Sequence, residues 1–179
     1  MSSSEQESPK DNGVVAIRRT AILAIDYGTV RIGLAIADIE TRLPRPLLTI
    51  ERVNRNEDMR RLRELAREHA VKEIVVGLPL RLDGTRGEMA EEATRFGERV
   101  RKQLGLPVEM VDERLTSWEA ERLLEEQAGK VFHDDAVPVH LQRSARKKKQ
   151  AARATVDAMA AAVILKEYLA KKQNPGASI

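Results

Sequence analysis

Two apolar runs separated by a turn constrain this chain more than any other feature. The first, Ile22-Leu23-Ala24-Ile25, ends on Asp26. The second spans Arg31 to Ala37, with Gly28 and Thr29 lying between the two. Runs with so little polar alternation read as strands covered on both faces. The glycine and threonine allow a tight reversal, so Thr20–Asp26 and Arg31–Asp38 are expected to form a hairpin. Asp26 then sits where a central strand stops. A carboxylate there is costly unless it caps the turn or meets a partner charge.

Pro44 and Pro46 limit the next strand to Leu47–Glu51, near a sheet edge. Asn56 is placed to cap a helix over 57–70, whose apolar face is Met59, Leu62, Leu65 and Ala66; His69 at its end reads as a solvated residue. Glu73–Leu78 is a buried strand. The loop from Leu80 to Gly87 contains Asp83-Gly84-Thr85 and feeds a helix over 88–104. Free amides at a helix start suit an anion, which makes Asp83, Gly84 and Thr85 phosphate-loop candidates beside the plainer reading of a strand-to-helix connection. Leu106–Val111 is a further strand, ending on Asp112-Glu113-Arg114-Leu115-Thr116-Ser117. Thr116 or Ser117 can cap a helix over 118–127. His133, Asp134, Asp135 and His140 lie in an irregular stretch without ligand spacing, a polar loop rather than a metal site. Last comes an alanine-rich helix, Ala151–Leu169. Asp157 shares its small apolar face with Ala154, Ala160, Ala161 and Ile164.

Strands followed by alternating helix and strand predict an α/β fold. Its mixed five-stranded sheet has order 3-2-1-4-5 and helices on both faces, with the first strand central. A single domain over 20–171 is expected, with a disordered tail over 1–19 and a flexible end over 172–179. In such sheets the site lies beyond the carboxyl ends of the parallel strands. Asp26, the glycine loop after Leu78, and Glu113 all fall there, and Asp157 reaches the same place if the last helix crosses the sheet. Three converging carboxylates repel one another unless a cation sits between them. Hard oxygen donors suit Mg²⁺ or Mn²⁺. Two such ions can activate a water and stabilise the leaving oxygen of a phosphodiester, so Asp26, Glu113 and Asp157 are the candidate metal ligands and catalytic residues.

Charge supports the same chemistry. The net charge is only +3, but it is concentrated in Arg143, Arg146, Lys147, Lys148, Lys149 and Arg153, a run suited to phosphates. Arg114 reads either as an ion-pair partner or as a phosphate contact. Phe96, Trp118 and Tyr168 read as core, which leaves few aromatics to stack on bases, so backbone charge should dominate binding. The absence of cysteine excludes disulfides and thiolate metal sites. No apolar run approaches the roughly 18 residues of a membrane helix, and residues 1–13 lack an apolar signal core. A cytoplasmic protein with no membrane partner is expected; oligomeric state is left open.

Four stretches carry a family resemblance: Ile25-Asp26-Tyr27-Gly28-Thr29 through Ala35, Val76-Gly77-Leu78-Pro79-Leu80 with Asp83-Gly84-Thr85, Asp112-Glu113-Arg114-Leu115-Thr116-Ser117, and Asp157 in its alanine-rich helix. Together, and in this order, the chain resembles the YqgF (RuvX-type) family over about Ala21 to Leu169. Its members are described as nucleases of pre-16S rRNA, and earlier as Holliday-junction resolvases. The resemblance implies a ribonuclease-H-like fold, the bacterial cytoplasm, and processing of the 5′ end of pre-16S rRNA in ribosome biogenesis, with a pre-ribosomal particle as partner. It also implies that Asp26, Glu113 and Asp157 bind metal. The chain departs from the family in its N-terminal tail and in a longer segment over 129–150. Three other readings compete. A Holliday-junction resolvase would act on branched DNA as a dimer. A non-catalytic RNA-binding assembly factor would have no use for three carboxylates. An actin-like ATPase or sugar kinase shares the Asp-x-Gly-Thr motif but needs two domains, for which this chain has no room.

Overall fold

The computed structural model describes residues 20–113 and 142–173, with side chains in the last helix from 154 onward. Five strands, β1 (Ala21–Tyr27), β2 (Arg31–Asp38), β3 (Pro44–Glu51), β4 (Val71–Leu78) and β5 (Val108–Asp112), form one sheet of order β3-β2-β1-β4-β5. The β1–β2 and β2–β3 pairs are antiparallel; β4 and β5 continue parallel to β1 on the other side. This is the order expected of a ribonuclease-H-like fold, with β1 central.

The helices are α1 (Arg55–Glu68), α2 (Glu88–Leu104) and α3 (Gln142–Gln173). Side-chain alternation along β1 divides the core between two faces. Leu23 and Ile25 pack with Met59 and Leu62 of α1 and with Phe96 and Val100 of α2. Ile22 and Ala24 pack with Ala161, Ile164, Leu165 and Tyr168 of α3. Both faces of β1 are thereby covered, which is why its sequence is uniformly apolar rather than alternating.

Several boundaries differ from the sequence expectation. The cap of α1 is Asn54, not Asn56. Asn54 has the extended backbone a cap requires, and its Oδ1 accepts the amides of Asn56 and Glu57 at 3.1 and 3.0 Å. Strand β3 begins at Pro44, because an edge strand can leave a prolyl nitrogen on its unpaired side. Strand β5 starts at Val108, later than expected, and takes in Asp112. The last helix starts at Gln142 rather than Ala151, so the basic run lies in its first turns. No glycine or proline interrupts 142–173, and arginine, lysine, glutamine and alanine all propagate helix well. Phe96 and Tyr168 are core residues as expected, each 2% exposed. The expected helix over 118–127, the 129–141 loop, Trp118, Arg114 and the 1–19 tail lie outside the described residues.

Candidate active site

Three elements bring the carboxylates together. Asp26 is the penultimate residue of β1 and pairs with Gly33 of β2. By alternation it projects toward the α3 face, on the side of Ile22 and Ala24. Glu113 follows β5 directly, and its amide donates to Leu78 O at 3.2 Å, holding it at the carboxyl end of β4. Asp157 comes from α3, which crosses the sheet above β2.

Two glycines make room for this meeting. A Cβ built on Gly33 would lie 2.0 Å from the main-chain oxygen of Asp157 and 3.1 Å from the amide nitrogen of Ala158. The helix backbone therefore rests directly on the sheet at this point, which sets the height of Asp157. A Cβ on Gly77 would lie 1.5 Å from Glu113 Oε1 and 2.8 Å from Ile164 Cδ1, so the Glu113 carboxylate occupies the space that a side chain on β4 would fill. Glycine inside a strand commonly marks such a close approach.

The two substitutions should behave differently. In Gly33→Ala the obstacle is helix backbone, so overpacking should cost about 1–3 kcal/mol or more of stability. In Gly77→Ala the obstacles are the ends of flexible side chains. The fold should survive with a small loss, and the Glu113 carboxylate should be displaced. Thermal unfolding and turnover measured on both variants check this: Gly33→Ala should lose stability first, and Gly77→Ala turnover first.

The electrostatics bear the mark of crowded acids. Burial, then the charge of Asp157, pushes the Asp26 carboxyl up to about 6. Burial likewise pushes the Glu113 carboxyl up to about 8, with Asp26, Asp112 and Glu167 adding to the effect. Desolvation and like charge both penalise the ionised form. Asp157 has a cationic neighbour: Arg31 Nε donates to its Oδ2 at 2.5 Å. Among the described residues no three His, Asp or Glu side chains stand ready-made in metal-ligating geometry, and the Arg31 contact draws Asp157 into an ion pair. The donor chemistry nonetheless fits a hard divalent cation. All donors are carboxylate oxygens, and the ionisation that their mutual repulsion opposes is what a cation would restore.

The remaining expectations fall out as follows. The loop at 83–85 closes on itself: Asp83 Oδ1 accepts the Thr85 amide at 2.8 Å and its hydroxyl at 2.6 Å. The Gly84 amide donates to Arg81 O and the Arg81 amide to Thr85 O. With these amides spent internally, and Glu88 and Glu91 in the first turn of α2, the loop offers an anion little. Arg143, Arg146, Lys147, Lys148, Lys149 and Arg153 lie along the start of α3, the helix that carries Asp157. Sequence reasoning assigned no role to Arg31, Gly33, Gly77, Asp112 or Glu167. The glycines were legible as anomalies, single glycines inside otherwise apolar strands. Glu167 was legible as an acid at i+10 from Asp157 on the same apolar helix.

An α/β protein with this sheet order, and with carboxylates gathered where β1 and β5 end, falls in the ribonuclease-H-like class. Within it, the chain belongs to the RuvX family, whose model, described as "Holliday junction resolvase", matches residues 20–171. It is 42% identical over 150 residues to a protein of Anaeromyxobacter sp. (strain K) named "Putative pre-16S rRNA nuclease", covering 84% of this chain and 96% of that one. A protein of Caldanaerobacter subterraneus subsp. tengcongensis with the same name is 35% identical over 153 residues, covering 86% and 98%. Among solved structures the chain is similar to Thermus thermophilus RuvC in complex with Holliday junction substrate, with 13% identity, a TM-score of 0.49, and coverage of 86% and 96%.

Proposed function

We propose that this protein is a metal-dependent nuclease that hydrolyses phosphodiester bonds, and that its substrate is the 5′ end of pre-16S rRNA within a pre-ribosomal particle in the cytoplasm. The observation that carries the reading is the crowding of Asp26 by Asp157, and of Glu113 by Asp26, at the carboxyl end of the sheet, in a chain whose relatives bear the name "Putative pre-16S rRNA nuclease". Asp26, Glu113 and Asp157 are the residues that would hold the metal. Mg²⁺ or Mn²⁺, as two ions, would activate a water and stabilise the departing oxygen. Asp26 is fixed by the β1–β2 ladder and so provides the rigid arm of the site. Asp157, which accepts from Arg31 Nε, would turn to the cation when one is bound, and Arg31 would then be placed to meet a substrate phosphate. Glu113 holds a proton near neutral pH and must release it for the carboxylate to ligate, so metal affinity should rise with pH. In the reaction the water oxygen bonds to phosphorus, the bond from phosphorus to the leaving oxygen breaks, and that oxygen takes up a proton. The single domain over 20–171 is the catalytic unit. Among its described residues no helix is long and apolar enough to cross a membrane.

The test is cleavage of matched single-stranded RNA, single-stranded DNA and four-way DNA junctions by the full chain, with Mg²⁺ and with Mn²⁺. RNA cleavage that needs the metal supports the reading. Cleavage of the junction alone would make the protein a resolvase, in keeping with the description of its family model, and no cleavage of any substrate would sink both. The basic run at the start of α3 is the proposed phosphate track, with Arg114 beside it. Cations at a helix N-terminus oppose its dipole, so stability does not explain them. Changing Lys147, Lys148 and Lys149 together to alanine should flatten the log–log salt dependence of RNA binding by up to about 2, at roughly 0.7 per single-strand phosphate. Binding should weaken by a similar factor for every sequence. A slope equal to the parent's would take the track away from these lysines.

A further inference from the structure

On the face of the sheet opposite α3, a cavity of about 330 Å³ opens at the same end of β1 as the carboxylates. Four guanidinium groups line it: Arg52 just past β3, Arg55 at the start of α1, and Arg95 and Arg99 on α2. Its floor is Tyr27, the residue after Asp26, which alternation places on the α1/α2 side with Leu23 and Ile25. The carboxylate centre and this arginine pocket are thus back to back across the last residues of β1, joined over the 28–30 turn.

The pocket is built rather than accidental. Arg52 Nη1 donates to the Tyr27 hydroxyl at 2.9 Å, to Gly28 O at 3.0 Å and to Thr29 O at 3.2 Å. Its Nε donates to the buried Asp58 at 3.2 Å. Arg52 is therefore locked as a wall and clamps the turn that separates the two sites. The Tyr27 ring is already engaged, by Phe96 with ring centroids 4.5 Å apart and by the Arg52 guanidinium at 4.7 Å. It is a packed floor, not a free stacking platform. Arg95 has a loose, exposed contact with Glu91 at 3.6 Å. Arg55 and Arg99 have no carboxylate partner among the described residues. Among the described residues Glu92 is the single acid in the lining, set against four arginines. Beside it the Arg52 amide donates to Val30 O at 3.0 Å, and Val30 and Val53 are 67% and 64% exposed. That is apolar surface against which a sugar or base can lie.

Its own bonds explain Arg52, but stability gives no reason to gather Arg55, Arg95 and Arg99 beside it, since like charges at close range repel. Planar guanidinium forks match phosphate oxygens, and a phosphate would relieve the repulsion. We infer that this pocket is a second phosphate-binding subsite: it holds the backbone of the same single-stranded nucleic acid after that strand has passed the carboxylate centre and turned over residues 28–30. The strand would then wrap the end of β1, with its scissile phosphate on the α3 face and a flanking phosphate between Arg55 and Arg99. This rests on the nuclease reading for the position of the scissile phosphate. The pocket's affinity for backbone phosphate can be measured without turnover.

The experiment uses the full chain in EDTA, titrated with a single-stranded RNA oligonucleotide at a series of salt concentrations. Arg55→Gln/Arg99→Gln is expected to flatten the log–log salt slope by roughly 1.4, two contacts at about 0.7 each. Arg55→Lys/Arg99→Lys keeps the charge and is expected to keep the parent's slope. Should the glutamine variant fail to fold, Thr29→Glu places a carboxylate at the exposed mouth of the pocket and is expected to weaken RNA binding at low salt. A slope equal to the parent's in a folded glutamine variant overturns the inference. So does protection of the parent, but not of the variant, by inorganic phosphate in thermal unfolding while the RNA slope stays unchanged, because the pocket would then serve a small anion. If the parent cleaves nothing with Mg²⁺ or Mn²⁺ yet the slope flattens, the nuclease reading fails and the pocket stands. Normal cleavage with an unchanged slope sinks the pocket alone.

Discussion

Asp26→Asn should abolish metal-dependent cleavage and leave a folded protein that, without metal, is at least as stable as the parent. The loss follows from its place in the site. Asp26 is the carboxylate fixed by a central strand, and in the proposed site a neutral amide there would remove a metal ligand. Charge stabilisation by a bound metal is worth several kcal/mol. At about 1.36 kcal/mol per factor of ten, losing it should cost roughly a thousandfold in rate or more. The stability expectation follows from what opposes ionisation. Burial and Asp157 push this carboxyl up to about 6 from an ordinary value of 3.8, so the charged form is unfavourable in the fold. Removing that charge at pH 7.5 could return up to about 3 kcal/mol. The same substitution also removes one of the charges that raise Glu113. Turnover with Mg²⁺ and urea unfolding in EDTA, measured on one preparation, check both halves. An Asp26→Asn protein that unfolds more readily than the parent would make Asp26 a structural turn residue and remove it from the site.

The opening hairpin was readable because it has to be apolar on both faces. Strand order, parallel neighbours and the carboxyl-end placement of Asp26 and Glu113 then followed from handedness and alternation. Boundaries were less legible where two signals competed. Asn54 and Asn56 are both good caps, and only the extended backbone at Asn54 decides between them. The basic run was expected to precede the last helix rather than open it, because a block of like charge masks the helix propensity of its arginines and lysines. The phosphate-loop reading of 83–85 failed to foresee that Asp83 would spend its oxygen on Thr85, since glycine-rich composition alone does not say where the amides point. The arginine pocket could not have been found in sequence. Arg52, Arg55, Arg95 and Arg99 come from two separate stretches that meet only when α1 and α2 pack side by side. Gly33 and Gly77 explain the remainder: a glycine in a strand says that something approaches closely, but only the fold says that the visitors are the Asp157 backbone and the Glu113 carboxylate.

Without metal, the protein should lose stability as pH rises from about 5 to about 8, the reverse of ordinary acid denaturation. Glu113 is pushed up to about 8 by burial first and then by Asp26, Asp112 and Glu167, and Asp26 is pushed up to about 6 by burial and Asp157. In the unfolded chain both carboxyls would titrate near their ordinary values of 4.5 and 3.8. Between those values and the raised ones the folded state holds protons that the unfolded state has released. Stability therefore falls with rising pH, by up to about 1.4 kcal/mol per pH unit for each such group. Two groups act together up to about pH 6 and Glu113 alone from there to about pH 8, above which the dependence flattens. Half-buried Glu57, lowered to about 2 by its bonds to Arg60 and Arg61, acts with the opposite sign but only below its ordinary value of 4.5, outside this window. In the proposed site a divalent cation would bind the deprotonated carboxylates, so Mg²⁺ should protect strongly at pH 8 and weakly at pH 5. Glu113→Gln cannot ionise and should flatten both the pH dependence above pH 6 and the Mg²⁺ protection. Urea midpoints across this range, in EDTA and in Mg²⁺, provide the measurement. A parent whose midpoint holds steady or rises from pH 5 to pH 8 in EDTA, with Glu113→Gln tracking it, would mean that Glu113 is an ordinary solvated acid and that the carboxylates do not crowd one another at the end of the sheet.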